Sequence, residues 1–143
     1  MADPFSVSQD ALAAFRSETP RIVTETASRS LELTDQVAHH GADAPRLITA
    51  GIEFTVKMLD AAMAAGESAL LDDELHWALD RLPHDGVLPD HMLSRFALLG
   101  EVVKERLPAS AAAEVGAAIQ WMERRLREIA AGRDPQGALP RAL

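Results

Sequence analysis

Helical apolar stripes separated by short breaks rich in proline and glycine constrain the fold of this chain most strongly. The clearest break is LPHDGVLPDH, residues 82–91. Before it, leucines recur at every fourth position from Leu71 to Leu79, and after it apolar residues follow helical spacing from Met92 to Leu107. Spacings of three and four are typical of amphipathic helices. The stretch from Trp77 to Pro108 therefore predicts the end of one helix, a corner and a long second helix.

Other stripes predict further helices on both sides of this corner. The clearest runs from Ala44 to about Ala65 and ends at Gly66, and Ser68 is a candidate cap for the next helix. The last helix is predicted to start near Ser110 and to end at about Ala131. No convincing alternation of period two indicates a strand.

The amino-terminal third is less regular. Ser6 or Ser8 is a candidate cap for a first helix, and a rough stripe predicts helix from Arg21 to about His39. Pro20 leaves open whether this region is two helices or one kinked helix. We predict an all-α fold of five to seven helices that ends in a long antiparallel helix pair joined near Pro108.

Composition is that of one soluble domain. The chain has 143 residues, of which 48% are hydrophobic and only 4% aromatic, so its core must be mainly aliphatic. We assign residues 1–132 to the domain and residues 133–143 to a flexible tail or the start of a linker.

Charge and cysteine content exclude several classes of function. The net charge is −8 and no basic cluster is present, which argues against nucleic-acid binding. The absence of cysteine excludes disulfides, thiolate metal sites and thioether-linked cofactors. No apolar run approaches the ~20 residues of a membrane span, and no signal peptide is recognisable, so we expect no membrane association and a cytoplasmic location.

The carboxy-terminal half resembles the end of a globin. Bacterial globins enter the helix after the haem-proximal one through the pattern His-x-x-x-x-Val-x-Pro-x-His, and Val87, Pro89 and His91 match its second part. The resemblance extends over about Arg46 to Ala131. It places Leu82 where a globin has its iron-binding histidine, and leucine offers iron no ligand.

The chain is therefore similar to the non-haem globin-like domains of bacterial signalling proteins, such as the amino-terminal domains of stressosome sensor subunits. The resemblance implies a homodimeric sensor without enzymatic activity or cofactor, which acts in signal transduction or stress response through an output domain or protein partner. Fatty-acid-binding globin-fold sensors are further relatives in architecture. They imply an alternative function as a sensor of an apolar, fatty-acid-like small molecule, held in a pocket lined by Phe54, Met58, Leu75, Leu79, Leu82, Phe96 and Met122.

Two histidines leave a haem-binding alternative open. His84 lies two residues from Leu82, and His76 lies on the preceding helix; either could in principle ligate a displaced haem. We expect His84 to face water and His76 to be half-buried. His91 is expected to cap or pack at the corner, and the adjacent His39 and His40 are expected at the surface, because neighbouring helical side chains diverge by about 100°.

Neither the acidic residues nor the tryptophans give a strong functional signal. Residues Asp72 to Glu74 suit a helix start better than acid–base catalysis, and no nucleophilic triad, phosphate loop or zinc-binding helix motif is present. Trp121 lies off the main apolar stripe of its helix, with Arg125 one turn later. We assign both to a dimer interface, with burial of Trp121 under the chain's own first helix as the alternative. A helical adaptor without any ligand is the remaining possibility.

Overall fold

The computed structural model describes residues 3–132, which are helical and contain no strand. It has five long α-helices and one short one, α2, together with two 3₁₀ turns at Gly41–Asp43 and Leu82–Asp85. The predicted all-α class is confirmed, whereas the predicted tail, residues 133–143, lies outside the described residues. The helices are α1 (Gln9–Ser30), α2 (Thr34–His40), α3 (Ala44–Ala65), α4 (Ser68–Arg81), α5 (Pro89–Arg106) and α6 (Ala109–Ala131).

Helix α1 passes through Pro20 without interruption. Its start is capped by Ser8, whose hydroxyl accepts a hydrogen bond of 3.0 Å from the backbone N–H of Ala11. The predicted continuous helix from Arg21 to about His39 is wrong, because α1 ends at Ser30 and α2 begins at Thr34. The Ser30 hydroxyl bonds back to the helix backbone, and such residues compete with regular helical bonding.

Two of the predicted caps are also wrong. Ser68 is the first residue of α4, and its N–H and hydroxyl both donate to the Asp3 carboxylate, at 3.1 and 2.8 Å. A carboxylate near a helix start is favourable because it meets unpaired N–H groups and the positive end of the dipole. Ser110 lies inside the first turn of α6, which follows Pro108. The partner that caps α4 lies beyond the local pattern, since Asp3 is 65 positions away in the sequence.

The core forms where α1 packs against α3, α5 and α6, and α4 lies against α3 and α6. Helix α5 also packs along α6, to which two residues connect it. Ion pairs join the helices at the surface, between Arg16 and Asp60 at 2.8 Å and between Arg29 and Glu105 at 2.6 Å. The largest fully buried side chains include Phe5, Phe15, Ile22, Ile48, Leu59, Leu79, Leu99, Ile119, Met122 and Leu126.

Within residues 3–132, none of the helices combines the length and the apolar character that crossing a lipid bilayer requires.

Candidate ligand cavity

A cavity of about 560 Å³ lies between the helices, a volume within the range of small-molecule sites. Helices α3, α4 and α5 supply most of its wall, and α1 and α6 contribute Thr26 and Met122. The corner contributes Leu82, Asp85 and Val87. Most of the lining side chains are apolar, so the cavity offers little hydrogen bonding to water.

The structure brings together most of the residues that we assigned to a pocket. Leu79 does not line the cavity: it is 2% exposed and belongs to the core. Its register accounts for this position, because α4 turns Leu75 and Ala78 towards the cavity. The assigned residues that line the cavity are Phe54, Met58, Leu75, Leu82, Phe96 and Met122.

Two exposed aromatic rings mark the mouth of the cavity. Phe54 on α3 is 42% exposed and Trp77 on α4 is 49% exposed, yet both line the cavity. Their ring centroids lie 6.1 Å apart at an angle of 42°. An apolar molecule that enters between α3 and α4 would therefore cover aromatic surface that water now contacts.

The polar side chains of the wall include one buried cation. Arg95 on α5 is 7% exposed, and its Nη2 donates to Nε2 of His40 at 3.1 Å. The buried Nε of Arg95 has no hydrogen-bond partner, and neither has the hydroxyl of Thr26, which is fully buried in the same wall. Burial lowers the pKa of Arg95 from its ordinary value. A buried guanidinium without an anion is costly, so these two groups have capacity for a further partner.

Neither Arg95 nor Thr26 was predicted as a site residue, although the sequence contains a signal for both. Arg95 lies three residues after Met92 and four before Leu99, which places it on the apolar face of α5. Thr26 lies four residues after Ile22, on the buried face of α1. A polar residue in register with an apolar stripe is the pattern that would have found them.

Three histidines meet next to Arg95. The rings of His39, His40 and His91 lie 5.1 to 5.6 Å apart, which joins α2 to the start of α5. His39 Nε2 donates to the carbonyl of Gly86 at 2.8 Å. His91 Nδ1 accepts from the backbone N–H of Leu88 at 3.3 Å, so His91 caps the corner as predicted. No pattern in the sequence indicates that these three histidines meet.

Burial of His40 and His91 lowers the pKa of both imidazoles below the ordinary 6.5, and the positive Arg95 lowers it further. Asp35 opposes this effect at His91, whereas His39 adds to it. Both rings are therefore neutral in the folded protein at pH 7. His40 accepts from Arg95 in this state, which a protonated ring could not do.

We expect the protein to lose stability as the pH falls below about 6.5. The unfolded chain binds protons at His40 and His91 at a higher pH than the folded chain does, so acid favours unfolding until the folded-state pKa values are passed. Urea unfolding at pH 7.0, 6.0 and 5.5 measures this. H91N keeps a cap acceptor but cannot titrate, and should flatten the dependence; H84N, at an exposed histidine, should leave it unchanged. If the free energy of unfolding changes equally with pH in H91N and H84N, the acid sensitivity does not come from His91.

The two histidines considered for haem lie outside the cavity. His84 is exposed in the 3₁₀ turn Leu82–Asp85, and His76 is half-buried on α4 with Nε2 3.6 Å from a carboxylate oxygen of Asp72. Leu82 itself lines the cavity. Among the residues described, no histidine is part of the cavity wall, so neither His76 nor His84 is placed to hold an iron there.

The residues assigned to a dimer interface make contacts within the chain. Trp121 is half-buried, and Phe5 meets it edge-on with a centroid distance of 5.4 Å. Phe5 precedes α1, so the segment leading into that helix covers one side of the indole. Arg125 pairs with Asp72 of α4 and lies 3.3 Å from a carboxylate oxygen of Glu128.

Asp72, one of the acidic residues near the start of α4, makes contacts that stabilise the fold. Asp72 joins α4 to α6 through Arg125, and it lies one turn before His76. In the part of the chain from residue 3 to residue 132, no group of three or more histidine, aspartate or glutamate side chains is arranged to hold a metal ion.

No protein-family model, no curated protein and no solved structure matches this chain.

Proposed function

We propose that this chain is a non-enzymatic regulatory domain that senses an apolar small molecule, and that the cavity between α3, α4 and α5 is its binding site. The apolar cavity of about 560 Å³ carries this proposal. The cavity is partly open, and a ligand there would make apolar contacts with wall atoms that lack them and would cover apolar surface, which supplies a driving force for binding. Closing the bundle around a ligand would convert occupancy into a helix movement that a partner can detect.

The proposal includes a globin-like arrangement without haem, in which α5 and α6 form an antiparallel pair. The corner residues support it. Leu82, at the position that the resemblance assigns to the proximal ligand, lines the cavity, and Val87 lines it from the other end of the corner. His91 stands in the first turn of α5, as in the pattern Val-x-Pro-x-His.

Isothermal titration calorimetry with decan-1-ol tests ligand binding. Decan-1-ol is uncharged, so its binding reports on the apolar cavity and not on charge. We expect saturable binding of one molecule per chain, with a negative heat-capacity change from burial of apolar surface. The absence of saturable heat up to the solubility limit of the alcohol would contradict the proposal.

Haem binding is the alternative to binding of an apolar ligand, and absorption spectroscopy distinguishes the two. Since His76 and His84 lie outside the cavity, we expect a colourless protein and no Soret band after incubation with haem. A Soret band that is lost in H84A or H76A would overturn the haem-free assignment. The variant that loses the band would identify the histidine that binds the iron.

Signal output is the last part of the proposal. We propose that the domain is cytoplasmic, acts as a homodimer through the face of α6 that carries Trp121 and Arg125, and passes its signal to an output domain or protein partner in a signalling or stress response. The half-exposed Trp121 supports this assignment, since Phe5 covers one side of the ring. Light scattering should give twice the chain mass of 15.4 kDa. A mass of one chain at high micromolar concentration would contradict the proposed dimer. The proposal that the cavity binds a ligand would be unaffected.

A further inference from the structure

The buried cation of the cavity wall has only a neutral partner. Arg95 is 7% exposed, and Nε2 of His40 accepts from its Nη2 at 3.1 Å. None of the ion pairs among the described residues involves Arg95, although six other arginines and His76 lie within ion-pair distance of carboxylates. A guanidinium in this state has lost most of its hydration without gaining an opposite charge.

The same cation has an unused donor. Arg95 Nε is buried without a hydrogen-bond partner, and the Thr26 hydroxyl, fully buried in the same wall, is also unpartnered. Gly51 of α3 lies beside the guanidinium, since a Cβ there would be in ordinary van der Waals contact with Nη1, at 3.9 Å. Nε together with a terminal nitrogen forms the edge of the guanidinium that binds carboxylates in bidentate fashion.

The carboxylates that line the cavity do not neutralise Arg95. Asp43 and Asp85 are exposed and face their own cations, with Arg46 at 3.6 Å and Arg81 at 3.2 Å, respectively. Glu74 is half-buried. Water screens such outer charges, whereas a charge in the apolar interior is screened much less. None of the three carboxylates forms an ion pair with Arg95, so its guanidinium is a buried positive charge without a directly paired anion.

We propose that the natural ligand is an amphipathic anion whose apolar tail fills the cavity and whose carboxylate or similar oxyanion pairs with Arg95, with the Thr26 hydroxyl as a further donor. This inference rests on the proposed function, because it concerns the ligand class of the same cavity. It makes Arg95 the specificity-determining residue: the apolar wall retains any tail, and the guanidinium selects an acid over an alcohol.

Parallel titrations with decanoate and decan-1-ol at pH 7.5 test the inference. The two probes share the same tail, so the ratio of their dissociation constants isolates the head group. We expect decanoate to bind about 10- to 100-fold more tightly than the alcohol, the range for hydrogen bonds to a desolvated charge. In R95M, which keeps an unbranched side chain without charge, we expect the ratio to fall to one or below while the alcohol still binds.

Two further variants make the result specific. R46M removes a cation that also lines the cavity but is exposed, and it should leave the ratio within about twofold of wild type. R95K keeps the charge without the bidentate edge and should retain an intermediate preference. If R95M does not fold, the ratio of the two dissociation constants in the wild type and in R95K tests the inference instead.

Each outcome has a distinct meaning. A wild-type ratio near one with both probes bound would overturn the anion inference and leave the apolar site standing. An acid preference that persists in R95M, or that is lost in R46M, would also overturn it. If neither probe binds, the proposed function fails and the inference fails with it.

Discussion

Replacing Phe15 with alanine is expected to lower the free energy of unfolding by about 3–5 kcal/mol, the largest stability effect that we predict for a single substitution. Phe15 is 0% exposed on α1, the helix that packs against α3, α5 and α6. Truncation removes a buried ring and leaves a void that surrounding helices can close only in part. Because a domain of this size has a total stability of about 5–15 kcal/mol, urea unfolding of F15A should show a strongly reduced midpoint.

The matched control is the same substitution at Phe54, which is 42% exposed. F54A removes an equal number of atoms from a position that water already contacts, so we expect a loss below about 1 kcal/mol in the ligand-free protein. Equal losses in F15A and F54A would contradict the placement of α1 at the centre of the packing.

Filling part of the cavity is expected to weaken its affinity for apolar molecules without unfolding the protein. Ala78 on α4 lines the cavity and is half-buried, so the indole of A78W can occupy space that a ligand would otherwise fill. If the indole displaces two or three methylene groups, at about 0.8 kcal/mol each, binding of decan-1-ol should weaken about 10- to 100-fold. Calorimetry measures the affinity, and circular dichroism verifies the helical fold.

Ala69 supplies the matched control for this variant. It is an alanine on the same helix, exposed and outside the cavity wall. A69W should bind decan-1-ol within about twofold of wild type, and both variants should unfold within about 1 kcal/mol of it. Unchanged affinity in A78W, or an equal loss in A69W, would place the binding site elsewhere.

The regular helices were predictable because their signals are local. The stripe and caps of α3, from Ala44 to the left-handed Gly66, agree with the structure at both ends. The end of α4 and the beginning of α5 follow equally from Pro83, Gly86 and Pro89. Proline and glycine restrict or extend the backbone at their own position, so no tertiary information is required.

Features that depend on distant partners were not predictable. The break after Ser30 and the cap of α4 by Asp3 are decided by contacts that the local pattern does not contain. The meeting of His39, His40 and His91 depends on how α2 lies against the corner. A single sequence places such residues on helices but does not place the helices relative to one another.

The candidate site was predictable in its apolar part only. Periodicity identifies the buried face of each helix, and faces that meet must enclose whatever space remains, which accounts for Met58, Leu75 and Phe96 in one wall. Arg95 was not predicted, and a charged residue is ordinarily exposed. Its burial of more than nine-tenths is the observation on which the proposed preference for an anion depends.

The account depends most on one claim, that small apolar molecules bind between α3, α4 and α5. Methyl-¹³C methionine NMR tests it directly, because Met58, Met92 and Met122 line the cavity whereas Met63 is buried outside its wall. Titration with decan-1-ol should shift the methyl resonances of the first three and leave that of Met63 nearly unchanged. Shifts at Met63 alone, or no shift at the three lining methyls at saturating alcohol, would contradict the claim.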